Sequence, residues 1–112
     1  MLSLWPMRIT VSHNKGQHEA KRLVDETSDQ LLRPDLPGML RMVDIKKNWV
    51  GNTMNFSMAA KLGFISTPLH GTVVVTDKDV TIEIELPAFL TKLFPETSIR
   101  SGIETKIKGL LT

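Results

Sequence analysis

The chain contains no cysteine, no tyrosine and no apolar run long enough to cross a membrane. Without cysteine it can form no disulfide, no thiolate nucleophile and no thiolate metal site, and such a composition suits a reducing cytoplasm. A transmembrane helix needs about 18 to 20 consecutive apolar residues, so no transmembrane segment is predicted. Residues 1–6 have no basic segment ahead of their apolar side chains. We therefore expect no secretory signal and a cytoplasmic protein.

Aromatic residues and net charge are both low, which bears on nucleic acid binding. The chain has two tryptophans, four phenylalanines and a formal net charge of +2. Proteins that bind single strands on a β-sheet display aromatic residues beside basic ones on the exposed face. Here Phe56 falls on the more apolar face of its predicted strand, and Glu83 and Glu85 make the polar face of a neighbouring strand acidic. No nucleic acid partner is predicted.

What the sequence does contain is the composition of one globular domain. Of its 112 residues, 41% are hydrophobic and 23% are charged, which excludes a disordered or collagen-like chain. A chain of this length buries roughly two thirds of the surface that its unfolded form exposes, enough for a single core. We predict a flexible leader over residues 1–6 and a single α+β domain over residues 7–112.

The first part of that domain reads as a strand followed by a helix. Apolar and polar residues alternate from Met7 to Ser12, which is the period of a half-buried strand. A helix is predicted next, with Asn14 as its N-cap and Pro34 limiting its end. Its apolar stripe, at spacings of three and four, is Ala20, Leu23, Val24, Thr27 and Leu31.

Two β-hairpins are predicted in the middle of the chain. The first turns at Gly51-Asn52, and the second turns at residues 76–79. The last strand has the clearest alternation in the sequence, with Thr81, Glu83 and Glu85 facing water. The predicted core positions, strand by strand, are Val43, Ile45 and Trp49; Met54, Phe56, Met58 and Ala60; Leu69, Val73 and Val75; and Val80, Ile82, Ile84 and Leu86.

A second helix is predicted at the end of the chain, capped by Thr97 or Ser98. Its apolar stripe is narrow, as in a helix that lies on its own sheet, and consists of Ile99, Ile103, Ile107, Leu110 and Leu111. The predicted order is therefore β-α-β-β-β-β-α. It favours the α+β class, with a curved, mostly antiparallel sheet and helices packed on one face.

Two segments are more apolar than their predicted loop positions explain. One is the linker between the hairpins, Leu62 to Pro68, and the other is "AFLTKLF" at residues 88–94. Their large side chains need a cover, which for the linker could be the C-terminal segment of the chain itself, and otherwise a surface, a ligand or a second copy in a homodimer. We predict that Phe64, Ile65, Leu90 and Phe94 form an apolar binding surface or pocket.

No arrangement of residues predicts catalysis or a metal site. His13 and His18 are five residues apart, which does not match the i, i+4 spacing of a zinc-binding helix. We interpret them and His70 as solvated or capping residues. Glu83 and Glu85 lie about 7 Å apart on one strand face and could flank a substrate, but a solvated sheet face is the more common arrangement. No phosphate-binding glycine motif is present. We predict no catalytic residue, no metal and no cofactor.

Four segments together resemble the polyhydroxyalkanoic acid system family, also called polyhydroxyalkanoate granule region proteins. They are "ITVSHNKGQHEAKRLVDE" (9–26), "NWVGNTMNFS" (48–57), "LHGTVVVTDKDVTIEIEL" (69–86) and "IRSGIETKIKGLL" (99–111). The resemblance extends from about Met7 to Leu111. It implies a cytoplasmic bacterial protein connected with storage polyester or its granules, and it implies no catalytic residues.

Three functional hypotheses follow. The first is a non-enzymatic accessory protein that contacts the polyester granule surface or granule coat proteins through apolar residues. The second is a small domain that binds a hydrophobic or acyl ligand between a curved sheet and the C-terminal helix, as helix-grip proteins do. The third is an enzyme that uses Glu83, Glu85 or His70, for which no positioned base and nucleophile can be named.

Overall fold

The computed structural model describes residues 4–28, 41–87 and 96–111. Within these ranges the chain forms an antiparallel sheet and two helices in the predicted order β-α-β-β-β-β-α, which confirms the α+β class. The elements are β1 (Leu4–Ser12), α1 (Gln17–Glu26), β2 (Arg41–Val50), β3 (Thr53–Leu62), β4 (Ile65–Val75), β5 (Asp79–Pro87) and α2 (Glu96–Leu111).

The sheet is one meander with a strand added at its edge. Its order is β1-β5-β4-β3-β2, and each neighbouring pair is antiparallel. Strands β2 to β5 follow one another through tight turns, and β1 pairs along its whole length with β5, from Leu4 opposite Pro87 to Ser12 opposite Asp79. Because β1 begins at Leu4 rather than at Met7, residues 4–6 of the predicted leader belong to the sheet.

Both helices pack on the same face of the sheet and complete one hydrophobic core. The alternating residues of β1, β3, β4 and β5 point into it as the sequence predicts. Helix α1 contributes its buried Ala20 and Val24. Helix α2 contributes the predicted isoleucine stripe, which confirms that this helix closes the core; its buried residues are Ile99, Ile103, Ile107 and Leu111.

Helix α1 is capped from a distant part of the chain. It begins at Gln17, after Gly16, and no side chain of its own segment caps it, so the predicted N-cap at Asn14 is wrong. The carboxylate of Asp77, in the β4–β5 turn, accepts a hydrogen bond from the N–H of Gln17 at 2.9 Å instead. A partner 60 residues away cannot be found from local pattern. The predicted end of this helix near Pro34 lies outside the described residues.

A β-bulge reverses the facing of the first part of β2. The pairing of β2 with β3 shifts between Val43 and Lys46, and Asp44 has a φ of 55°. One extra residue exchanges the two faces of a strand. Met42 therefore packs on the core, while the predicted inward position of Val43 is wrong; Ile45 and Trp49 pack on the core as predicted.

The predicted linker between the hairpins is also wrong, because residues 62–68 form a third hairpin. Leu62 pairs with Ile65, and the chain turns at Gly63-Phe64, where Gly63 has a φ of 60°. Glycine adopts this left-handed conformation without strain. Pro68 is tolerated because β4 pairs with β5 only from His70 onward, so that this part of β4 is an edge.

Candidate functional site

The β3–β4 turn carries the most exposed aromatic side chain of the described residues. The exposed fraction of Phe64 is 107%, and that of Ile65 is 52%. The last pair between β4 and β5 is His70 with Glu85, and β4 runs five residues further, to Ile65. At about 3.4 Å per residue, the hairpin extends roughly 17 Å past that pair. We call residues 61–66 the β3–β4 tip.

Two cations stand beside each other at the base of this tip. Arg41, the first residue of β2, pairs directly with Lys61 of β3, and both side chains are exposed. Directly opposite residues in an antiparallel pair lie on the same face, and like charges in that position repel each other. Neither cation forms an ion pair with an acidic residue of the described ranges. Within the described ranges, the tip therefore combines apolar side chains with positive charge that no acidic residue pairs with.

The structure brings together two of the four residues predicted for an apolar surface. Phe64 and Ile65 are neighbours at the tip, and both are exposed. Leu90 and Phe94 lie outside the described residues. The chain leaves β5 at Pro87, which is at the same end of the sheet as the tip because β4 and β5 are antiparallel.

A second concave region lies on the face of the sheet opposite the helices. It is a shallow groove of about 590 Å³ that crosses β1, β5, β4 and β3. Its floor is a row of residues whose side chains point to the core, and its walls are the two rows of polar side chains on either side. The walls carry Arg8, Asn55, Thr72 and Glu83 on one side and His70 and Glu85 on the other.

The groove unites the three residues considered for catalysis in the sequence, His70, Glu83 and Glu85. Arg8 lies 3.3 Å from Glu83, in an exposed ion pair of the kind that contributes little energy. Within the described ranges, His70 forms no hydrogen bond with a hydroxyl or a carboxylate. The described residues also contain no cluster of three potential metal ligands. The groove therefore has polar side chains but no nucleophile paired with a base.

Gly71 shapes the floor of this groove from the core side. A Cβ atom at this position would lie 2.4 Å from the ring of Phe56 and 2.5 Å from the carbonyl oxygen of Glu83. Neither contact is sterically allowed, so any other residue would displace the ring or the strand. The glycine is required for packing, and it gives the groove no chemistry of its own.

His13 is a buried structural residue, so it is not solvated, while the hydrogen bonds of its ring to backbone groups fit the predicted capping role. Its Nε2 lies 3.0 Å from the carbonyl oxygen of Thr76, and its Nδ1 lies 3.2 Å from the backbone nitrogen of Lys15. A carbonyl only accepts and an N–H only donates, so in this geometry Nε2 donates to Thr76 and Nδ1 accepts from Lys15. His13 thus connects the β1–α1 loop to the β4–β5 turn. His18 and His70 are exposed, as predicted.

A polar cluster that the sequence did not reveal connects α1 to β2. The Asp25 carboxylate accepts hydrogen bonds from Trp49 Nε1 at 2.8 Å and from Lys47 Nζ at 3.0 Å. These donors, Trp49 first and Lys47 second, lower the pKa of Asp25 below its ordinary value. Lys21 Nζ also lies 5.0 Å from the centre of the Trp49 ring, in cation–π contact. The cluster fixes edge strand β2 to the helix layer.

Comparison with known proteins gives one match. The family model described as "Putative polyhydroxyalkanoic acid system protein" matches residues 7–111, which confirms the resemblance found in the sequence. Searches of curated proteins and of solved structures each found no match. No helix in the described part of the chain combines the length and apolar character that a membrane crossing requires.

Proposed function

The chain belongs to the polyhydroxyalkanoic acid system family, and on this premise we propose that it is a non-enzymatic accessory protein that contacts storage polyester granules through the β3–β4 tip. The single observation that carries the proposal is the exposure of Phe64 at the end of a projecting hairpin. Phe64 buries no surface within the chain, and together with the exposed Ile65 it forms an apolar patch of the kind that contacts a partner.

The free energies of side-chain burial and of association predict weak, reversible adsorption by the tip alone. Complete burial of a phenylalanine or isoleucine side chain contributes about 1.5 to 3 kcal/mol. Loss of translational and rotational freedom on association costs about 4 kcal/mol or more. Phe64 and Ile65 together contribute about 3 to 6 kcal/mol, which offsets only the lower end of this cost. Leu90 and Phe94 remain part of the proposed surface, since the chain leaves the sheet at Pro87, on the same side as the tip.

The acyl-ligand alternative finds less support. A helix-grip site needs space between the sheet and the C-terminal helix. Here Ile103 and Ile107 of α2 belong to the same buried cluster as Ile82 of β5, so side chains occupy that space. The groove of about 590 Å³ lies on the opposite face of the sheet and is walled by polar residues. It is therefore not the site between the sheet and the C-terminal helix that this alternative requires.

Co-sedimentation with polyhydroxyalkanoate particles tests the proposal. We expect the wild-type protein to sediment with the particles and Phe64→Asp to remain in solution. Val50→Asp is the matched control, because Val50 is 63% exposed at the β2–β3 turn, at the opposite end of β3. That variant has the same change in charge and should sediment like the wild type. Failure of the wild type to sediment, or equal loss in both variants, would contradict the proposal.

A further inference from the structure

We propose that the β3–β4 tip recognises an anionic phospholipid layer over an apolar phase, with Lys61 and Arg41 binding the headgroups and Phe64 and Ile65 entering the layer. This inference rests on the proposed function and names the kind of interface that the tip selects. The observation behind it is the cross-strand pair of cations at the base of an apolar turn.

The arrangement of charge along the hairpin supports an anionic partner. Between Ala59 and Leu69, Lys61 is the only charged residue, and its cross-strand neighbour Arg41 has the same sign. Two like charges in directly opposite positions destabilise a sheet. An anion placed between them removes that repulsion, and a neutral apolar surface does not. The acidic wall residues Glu83 and Glu85 belong to other strand rows, away from the tip.

The geometry also suits insertion at a shallow depth. The turn residue Phe64 is two positions beyond the Lys61–Ser66 pair along the hairpin, so the cations lie about 7 Å behind it. Interfacial proteins bury apolar side chains about 5 to 10 Å below the headgroups. With Phe64 at that depth, Lys61 and Arg41 lie at the level of the phosphates.

The electrostatic contribution of Lys61 and Arg41 to the binding affinity follows from the effect of a single basic residue. A basic residue at an anionic membrane surface increases affinity by about fivefold, and the effect falls with salt over a Debye length of about 10 Å at 0.1 M. Two cations should therefore make binding to an anionic layer about 25-fold tighter than to a neutral one.

The experiment compares polyhydroxyalkanoate particles coated with phosphatidylglycerol and with phosphatidylcholine. We expect tighter binding to phosphatidylglycerol, a steep decrease with salt, and a loss of about fivefold or more in Lys61→Glu and in Arg41→Glu. Lys61→Arg should keep the wild-type affinity. Lys78→Glu, at an exposed position in the β4–β5 turn, is the control for net charge and should also bind normally.

Loss of folding would not explain weaker binding in the two charge-reversal variants. Each reversal turns the Arg41–Lys61 pair into one of opposite charge, so the folded state should be as stable as the wild type or slightly more so. We therefore expect Lys61→Glu and Arg41→Glu to be at least as stable as the wild type and to bind more weakly.

The outcomes separate the two proposals. Equal affinity for both coatings, or no effect of either reversal, overturns the anionic selectivity, while a loss of binding in Phe64→Asp on both coatings still supports the proposed function. No adsorption to any particle overturns both. Concentration-dependent dimerisation that Phe64→Asp abolishes, without adsorption, identifies a second copy of the chain as the partner of the tip and overturns both.

Discussion

The two ends of the sheet differ in how their turns are held. At one end, which we call the anchored end, the β1–α1 loop, the β2–β3 turn and the β4–β5 turn are joined by hydrogen bonds. The bonds, written donor first, are His13 N–H to Lys78 O, His13 Nε2 to Thr76 O, Gln17 N–H to Asp77 Oδ1, Gln17 Nε2 to Val75 O, Lys21 Nζ to Gly51 O and Val75 N–H to Asn52 O.

At the other end, the β3–β4 tip has no such contacts within the described ranges. Its turn residues are Gly63 and Phe64, and its base is a pair of like charges. Burial and hydrogen bonding at the anchored end contribute to folding, whereas the exposed features of the tip contribute nothing to it. Stability therefore accounts for the side chains at the anchored end, and the proposed function assigns those of the tip to contact with the granule surface.

The largest expected effect is the loss of the His13 contacts. His13→Ala removes a buried ring and leaves the carbonyl of Thr76 and the N–H of Lys15 without their partners. We expect the free energy of unfolding to fall by about 2 to 4 kcal/mol. Urea denaturation would measure it.

Two variants serve as controls for His13→Ala. His70→Ala, at an exposed histidine, and Phe64→Ser, at the tip, should each change the free energy of unfolding by less than about 0.5 kcal/mol. A destabilisation by Phe64→Ser comparable to that by His13→Ala would remove the distinction between the two ends.

A smaller effect is expected from the pH dependence of Asp25. Its pKa is lower in the folded protein than the ordinary value of 3.8, because Trp49 and Lys47 donate to the carboxylate. A carboxylate with a lowered folded pKa contributes stability above its unfolded pKa, and the contribution disappears as the pH falls through the folded value. The side chain is about half exposed, so we expect less than about 1 kcal/mol.

Asp25→Asn tests this dependence, since asparagine keeps the shape of the side chain but not its charge. The wild type should be more stable than the variant at pH 6, and the difference should shrink below about pH 4. A difference that stays constant from pH 6 to pH 3 would mean that the charge of Asp25 contributes nothing.

Most of the fold could be predicted because its strands and helices have regular apolar periods. The strict alternation of β5 and the isoleucine spacing of α2 each indicated which face is buried. The errors arose where one residue changes the pattern or where the partner is distant. The bulge at Asp44 changes the facing of β2, and the cap on α1 comes from Asp77, in a turn far along the chain.

The candidate site could be predicted only in part. The apolar excess at Phe64 and Ile65 was visible in the sequence, and Gly63 can open a two-residue hairpin turn. The residues around it lack the alternation of apolar and polar side chains that marks a strand, so the segment read as a linker rather than a projecting hairpin. The cation pair depends on the register between β2 and β3, and that register includes a bulge. Pairing across strands of this kind cannot be derived from the sequence of either strand alone.

The central claim is that the tip, and not the anchored end, meets the granule surface. Because the chain has no cysteine, one can be introduced and labelled at a single position. Ser66→Cys places an environment-sensitive fluorophore in the tip, and Asn52→Cys places it in the β2–β3 turn; both positions are exposed. On addition of polyhydroxyalkanoate particles, we expect a blue shift of the emission at position 66 and none at position 52. A shift at position 52 alone, or no shift at either position while the protein sediments with the particles, would contradict the claim.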